Sequence, residues 1–288
     1  MLQSAGALAG LSEVADQYDA LFCDVWGVVH NGIAAYPTAP EALQHFRRLG
    51  GRVVLITNAP RPSTPIIEML DKLGVSRDAY DHVISSGDTT RVMIAPYAGR
   101  VVHHFGPAKI DDALYEGLGV IRGPAEEAEV VVCTDMPFDD DTPDMYEAEI
   151  ELWLKRKLPL ICANPDKFVE VGDKLIYCAG AMADIYAERG GEVLMAGKPY
   201  RPIYEEAKKL AESAAGRAIE PGRILAIGDS VRTDATGAAN FGADLLFITG
   251  SIHAEELDAF GEPDPEAVRT LVAPSGANLA GFMPRLAW

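Results

Sequence analysis

The chain has 288 residues, 48% of them hydrophobic and 24% charged, and its 25 basic against 43 acidic side chains give a formal charge of −18. That balance excludes the basic stripe by which proteins release counterions from nucleic acid or anionic membranes, and no apolar stretch approaches the ~18 residues of a membrane span. The length is generous for one compact domain and allows a core plus a second unit.

Met1 to Gly10 lacks the basic start and long apolar core of a signal peptide, and Cys23, Cys133, Cys162 and Cys178 sit one per apolar run without C-x-x-C spacing. The expectation is a cytoplasmic protein with reduced, buried thiols. Leu21–Val25 reads as a strand, Pro40–Leu49 as an amphipathic helix stopped by Gly50-Gly51, and Arg52–Thr57 as the next strand. A helical run over Ile66–Leu73, a Gly74 stop and a short strand at His82–Ser85 follow. The same rhythm returns near the far end: Pro202–Ala214 helical, Ile224–Ile227 strand, Asp234–Phe241 helical, Asp244–Thr249 strand. Such alternation predicts βαβ units in a doubly wound parallel α/β sheet, Rossmann-like, with helices on both faces.

Between these halves, Val101–His104, Val130–Cys133 and Leu160–Ala163 read as strands and Tyr146–Lys157 as a helix. The economical organisation is a core made of 1–87 and 188–288 with an inserted α/β cap domain over 88–187; one enlarged sheet is the alternative. The aromatic residues Tyr146, Trp153, Tyr177 and Tyr186 fall on expected core faces.

Four stretches place a reactive side chain at the end of an apolar run or in a stiff turn: Asp24, Thr57-Asn58, Gly197-Lys198-Pro199, and Gly228-Asp229 with Asp234 five residues on. In an open parallel sheet, ligands bind outside the carboxyl ends of the strands, so these clusters are expected to face one crevice. A carboxylate such as Asp24 can attack phosphorus, although a lone Asp there also serves as a cap. Thr57 and the backbone N–H groups that follow suit phosphoryl oxygens, as a common turn also would; Arg61 adds charge nearby or is a solvated loop residue. Lys198 can neutralise Asp24 and an incoming phosphate. Asp229 and Asp234, joined by Asp24, make a hard oxygen site for Mg²⁺.

The order of these motifs is similar to that of the haloacid dehalogenase (HAD) superfamily: an Asp nucleophile, a Ser/Thr, a Lys, and an acidic pair. The insertion, the Asn164-Pro165-Asp166 stretch and the Gly197-Lys198-Pro199 turn resemble class IIA members, the p-nitrophenyl-phosphatase-like and sugar- or nucleotide-phosphatase-like enzymes. The resemblance covers nearly all of the chain and implies a HAD core with an α/β cap. It implies Asp24 as nucleophile and metal ligand, the Trp26 backbone carbonyl as a second ligand and Asp229 as a third. Asp234 would hold a metal water or Lys198. Thr57 and Lys198 would bind the transferring phosphoryl group, with Asn58, Arg61, Asn164 and Asp166 lining the substrate site. It also implies a small phosphorylated metabolite as substrate and leaves a homodimer open, while the acidic balance and the lack of a long apolar stretch imply no nucleic-acid or membrane partner.

One position departs from the family. Most phosphatases of the superfamily read Asp-x-Asp in the first motif, and the second Asp protonates the leaving oxygen and activates water. This chain reads Asp24-Val25-Trp26, and an indole offers only a weakly acidic N–H. Positioned general acid–base catalysis is worth roughly 10²–10⁴ in rate, so a slow or specialised Mg²⁺-dependent phosphatase is the expectation. His30 or Asp166 would then replace the missing acid. A dehalogenase, which needs no metal, or a non-catalytic phospho-ligand binder are the alternatives. Trp26 itself either narrows the pocket, stacks on a substrate ring or packs in the core.

Overall fold

In the computed structural model, which describes residues 6–107, 111–171, 174–257 and 263–288, the apolar runs become strands of two separate parallel sheets. The first elements are β1 (Ala20–Asp24), α1 (Thr38–Arg48), β2 (Arg52–Thr57), α2 (Ser63–Lys72) and β3 (His82–Ser85). Next come α3 (Ser86–Ile94), β4 (Val101–Phe105), β5 (Ile121–Arg122), β6 (Val130–Cys133), α4 (Glu147–Arg156) and β7 (Leu160–Cys162). An antiparallel pair, β8 (Phe168–Val171) and β9 (Lys174–Tyr177), precedes α5 (Ala179–Glu188) and β10 (Val193–Met195). The chain finishes with α6 (Arg201–Ala215), β11 (Ile224–Gly228), α7 (Thr236–Phe241), β12 (Asp244–Ile248), α8 (Pro265–Val272) and β13 (Asn278–Met283).

The chain divides into two compact units: Met1–Thr57, Ile67–Ile84 and Pro199–Trp288 form the first, Asn58–Ile66 and Ser85–Lys198 the second. The single enlarged sheet is therefore not what forms. The boundary also differs from 88–187. β10 pairs in parallel with β7, which carries the chain as far as Lys198 into the second unit. The segment after β2 joins it through Asn58, whose amide bonds the backbone of Lys198, and through Ala59, whose carbonyl accepts from the Gly87 N–H.

In the first unit the sheet order is β13-β12-β11-β1-β2-β3. Counted within the unit this is the 3-2-1-4-5-6 order of doubly wound folds, whose switch point lies between the first and fourth strands, here β1 and β11. β1 and β11 are buried along their whole length, as strands covered by helices on both faces must be. Helix α1 covers the sheet with Ala39, Ala42, Leu43 and Phe46, spaced at helical period. Burying each Val, Leu or Ile of this sheet contributes about 1.5–3 kcal/mol, and Leu55→Ala in the wholly buried part of β2 costs about 2–5 kcal/mol. This rigid base fixes the strand ends from which the reactive side chains project.

The second unit has its own parallel sheet, β10-β7-β6-β4-β5, the 2-1-3-4-5 order when counted within the unit. Alternate residues supply two cores: Val131, Cys133, Leu160 and Cys162 face Trp153, Tyr186 and Met182, while Val130, Val132 and Ile161 pack with Ile94 and Leu114. Tyr146 and Tyr177 pack on the first of these cores, as their spacing foretells. All four cysteines are free and buried. Among the described residues no helix is long and apolar enough to cross a membrane.

Candidate active site

β1 ends at Asp24 and β11 at Gly228, on either side of the switch point, with Cys23 paired to Ile227. Asp229 leaves the sheet one residue later. A five-residue π turn, Val231–Ala235, then brings Asp234 back under the strand end, where its Oδ2 accepts from the Ser230 N–H at 3.1 Å. Such turns recur at functional sites because they re-aim side chains that a regular helix would point elsewhere. Asp24, Asp229 and Asp234 are 8%, 7% and 3% exposed, and each offers an oxygen within 4.8 Å of the others. Gly27 permits this approach: at φ +81°, it is a position where a methyl group would fall 2.1 Å from Asp229 Oδ2.

Three buried carboxylates this close offer a set of hard oxygens of the kind that suits Mg²⁺. The residues present therefore fit the metal that the sequence implies. Among the described residues this is the one cluster of metal-ligand type. On the neighbouring strand Asp24 is paired with Ile56, so buried Thr57 follows one residue beyond the same edge.

The indole of Trp26 is half-buried, lies over Gly32 and meets the His30 ring edge-on at 5.0 Å. His30 is fully buried, and its Nδ1 accepts from the Gly32 N–H at 2.8 Å, which leaves the proton on Nε2. Burial lowers its pKa to about 4, so it stays neutral. His30 thus supports the Trp26 loop and does not present an acid to substrate. The turn after β1 is self-contained, with Gly27 N–H bonded to the His30 carbonyl and Val29 N–H to Val25.

The remaining candidates lie in the second unit. Asn58 is buried; its Oδ1 accepts from the Lys198 N–H at 2.7 Å, while its Nδ2 donates to the Lys198 carbonyl and to Asp166 Oδ1, both at 3.2 Å. Lys198 is also buried, and Asn164 Oδ1 accepts from the Asp166 N–H. This amide clip ties together two chain segments 140 residues apart, each bonded covalently to the first unit at its end. Arg61 is held by an ion pair to Asp111 at 3.7 Å and so is more than a solvated loop residue.

Asp111 belongs to a network that no sequence motif signals. It accepts from Thr134 Oγ1 at 2.5 Å and faces His104 Nε2 at 3.8 Å; His104 in turn shares a hydrogen bond with Tyr115. Beside it burial, and then the charge of Asp111, push the Asp135 carboxyl up to about 7 against opposition from Arg61 and the Met136 N–H. The signal available in sequence was position alone: Thr134-Asp135 follows an apolar strand as Asp24 and Asp229 do.

A family model described as haloacid dehalogenase-like hydrolase matches residues 21–119, and a second, HAD-hydrolase-like, matches residues 195–274. A haloacid dehalogenase-like hydrolase from Brucella suis is 43% identical over 96% of this chain and 98% of its own, with a TM-score of 0.85. The chain belongs to the haloacid dehalogenase-like hydrolase family. Two more distant structures share the fold. One, from Cytophaga hutchinsonii and described as a possible sugar phosphatase, is 20% identical over 96% of both chains at a TM-score of 0.76. The other, a p-nitrophenyl phosphatase from Archaeoglobus fulgidus, is 22% identical over 93% of this chain and 96% of its own at 0.68. Comparison with curated protein sequences finds no match.

Proposed function

We infer that this hydrolase is a Mg²⁺-dependent phosphatase of a small phosphorylated metabolite, of the sugar-phosphate or nucleotide class. The convergence of Asp24, Asp229 and Asp234 at the switch point carries the reading, and the phosphatases among its structural neighbours support it. Asp24, Asp229, Asp234 and the Trp26 carbonyl would hold Mg²⁺, which when bound supplies charge neutralisation for the transferring phosphoryl group.

The residues of the chain do the rest. The Asp24 carboxylate attacks phosphorus; the ester oxygen leaves with the bonding pair, and an aspartyl-phosphate remains on Asp24. Water then attacks that phosphorus, releasing phosphate and restoring the carboxylate. Thr57 and Lys198 bind phosphoryl oxygens, and Asn58 fixes the Lys198 backbone through its amide clip. Arg61, Asn164 and Asp166 contribute to substrate recognition. With indole in place of a proton donor, and His30 buried and neutral, substrates whose leaving group departs without a proton are favoured.

Turnover of p-nitrophenyl phosphate tests this, since nitrophenolate leaves unprotonated. Release that requires Mg²⁺, stops with EDTA and disappears in Asp24→Asn is expected. No release at any Mg²⁺ concentration would overturn the reading in favour of a phospho-ligand binder.

A further inference from the structure

Two hydroxyl residues follow the carboxyl end of β12, the strand beside the one that leads to Asp229. β12 lies beside β11 with Phe247 opposite Gly228, so Thr249 and Ser251 leave the sheet next to Asp229. Thr249 Oγ1 is fully buried and has no hydrogen-bond partner, while its N–H is satisfied by the Met283 carbonyl. Buried polar atoms are normally paired, and this orphan sits just past the end of the strand next to the one that leads to Asp229.

Ser251 closes on the cluster from the same strand end. A methyl group at Gly27 would lie 2.1 Å from Asp229 Oδ2 and 2.6 Å from Ser251 Oγ, so the carboxylate and the hydroxyl converge on one point beside Gly27. The Ser251 carbonyl is engaged by the Ala254 N–H, which fixes the backbone and leaves the hydroxyl to rotate. A hydroxyl donates one hydrogen bond and an ionised carboxylate only accepts, so the direction between this pair is set.

We propose that Ser251 is a positioning residue for the divalent cation: its hydroxyl donates to the Asp229 carboxylate and holds it in the ligating orientation. The proposal rests on the Mg²⁺-dependent reading above. Partners that orient a ligating group typically change metal affinity by about 10–100-fold. Gly27 is what admits both groups, and neither Ser251 nor Thr249 is part of the motifs that announce the site.

Calorimetric titration of Mg²⁺ into the wild type, Ser251→Ala and Ser251→Thr, with unfolding temperatures in EDTA as the control for folding, tests the assignment. Ser251→Ala is expected to bind Mg²⁺ about 10-fold more weakly or worse, with its metal-free unfolding temperature unchanged, and Ser251→Thr to keep most of the affinity. Wild-type affinity in Ser251→Ala would overturn the proposal and leave the phosphatase reading intact. Failure of the wild type to bind Mg²⁺ would instead remove the reading on which it rests. Should Ser251→Ala not fold, Ser251→Cys, which keeps the volume but donates weakly, is expected to show the same loss.

Discussion

The two units solve the same topological problem with different chemistry. Each is a parallel sheet with a switch point, and in each a glycine at positive φ follows the first strand. A side chain from the strand across the switch point presses against that glycine. In the first unit the glycine is Gly27 (φ +81°) and the side chain is Asp229; in the second they are Gly106 (φ +149°) and Thr134, whose Oγ1 lies 2.0 Å from where a methyl group would sit. Around Gly27 the approach assembles carboxylates against one another. Around Gly106 it assembles a carboxylate, Asp111, with a hydroxyl, a guanidinium and an imidazole. The first arrangement gathers like charges of metal-ligand type, whereas the second sets a carboxylate against a hydroxyl and a guanidinium. Topology makes the crevice, and the residues placed at it decide its chemistry.

Gly27→Ala is the strongest way to break this comparison. The methyl group would displace Asp229, and turnover of p-nitrophenyl phosphate should fall by about 10²-fold or more, the size of losing a preorganised charge at the reacting centre. Calorimetry should show Mg²⁺ affinity falling with it. Trp26→Asp restores the acid the first motif lacks. Hydrolysis of alkyl phosphates should rise toward the roughly 10²-fold or more that a positioned acid supplies, while p-nitrophenyl phosphate gains little. A fall on both substrates would give the indole a task of its own.

Gly106→Ala should act on stability alone. Strain at a glycine-only conformation, with displacement of Thr134, costs about 1–3 kcal/mol, seen as a lower urea midpoint at unchanged Mg²⁺ affinity. The effect confined to a pH window concerns Asp135. Its carboxyl is raised in the folded protein to about 7 from an ordinary 3.8. The folded state therefore holds this proton more tightly, and stability present below pH 4 is lost progressively as pH rises towards 7. Asp135→Asn keeps the acceptor for the Met136 N–H but has no proton to lose. Its stability relative to wild type should climb between pH 4 and 7 and level off above, by at most about 2–4 kcal/mol. A flat difference across that range would mean that Asp135 titrates normally.

Asp24 and Asp229 were legible because each closes an apolar run that could only be a buried strand, and strand ends are where such folds hold ligands; Asp234 was legible from its spacing after Asp229. The strands at 52–57, 82–85 and 130–133 were legible for the same reason. The antiparallel pair β8 and β9, the edge strand β13 and helix α5 were not, since short segments and an Ala-Gly-rich helix carry little periodicity. His30 was readable as a residue near the nucleophile, but only its packing under Trp26 shows that it is neutral and enclosed.

By itself the sequence determined the doubly wound α/β class, the presence of a second α/β unit and the acidic cluster. Local apolar patterning and strand-end placement are enough for these. Only the tertiary structure decided that Asn58, Arg61 and Lys198 belong to the second unit, that Thr134 and Asp111 form a network, and that Ser251 stands beside Asp229. Those facts depend on hydrogen bonds and close approaches between segments distant in the chain, such as the clip between Asn58 and Lys198. A linear pattern of residue types carries no record of which segments will meet.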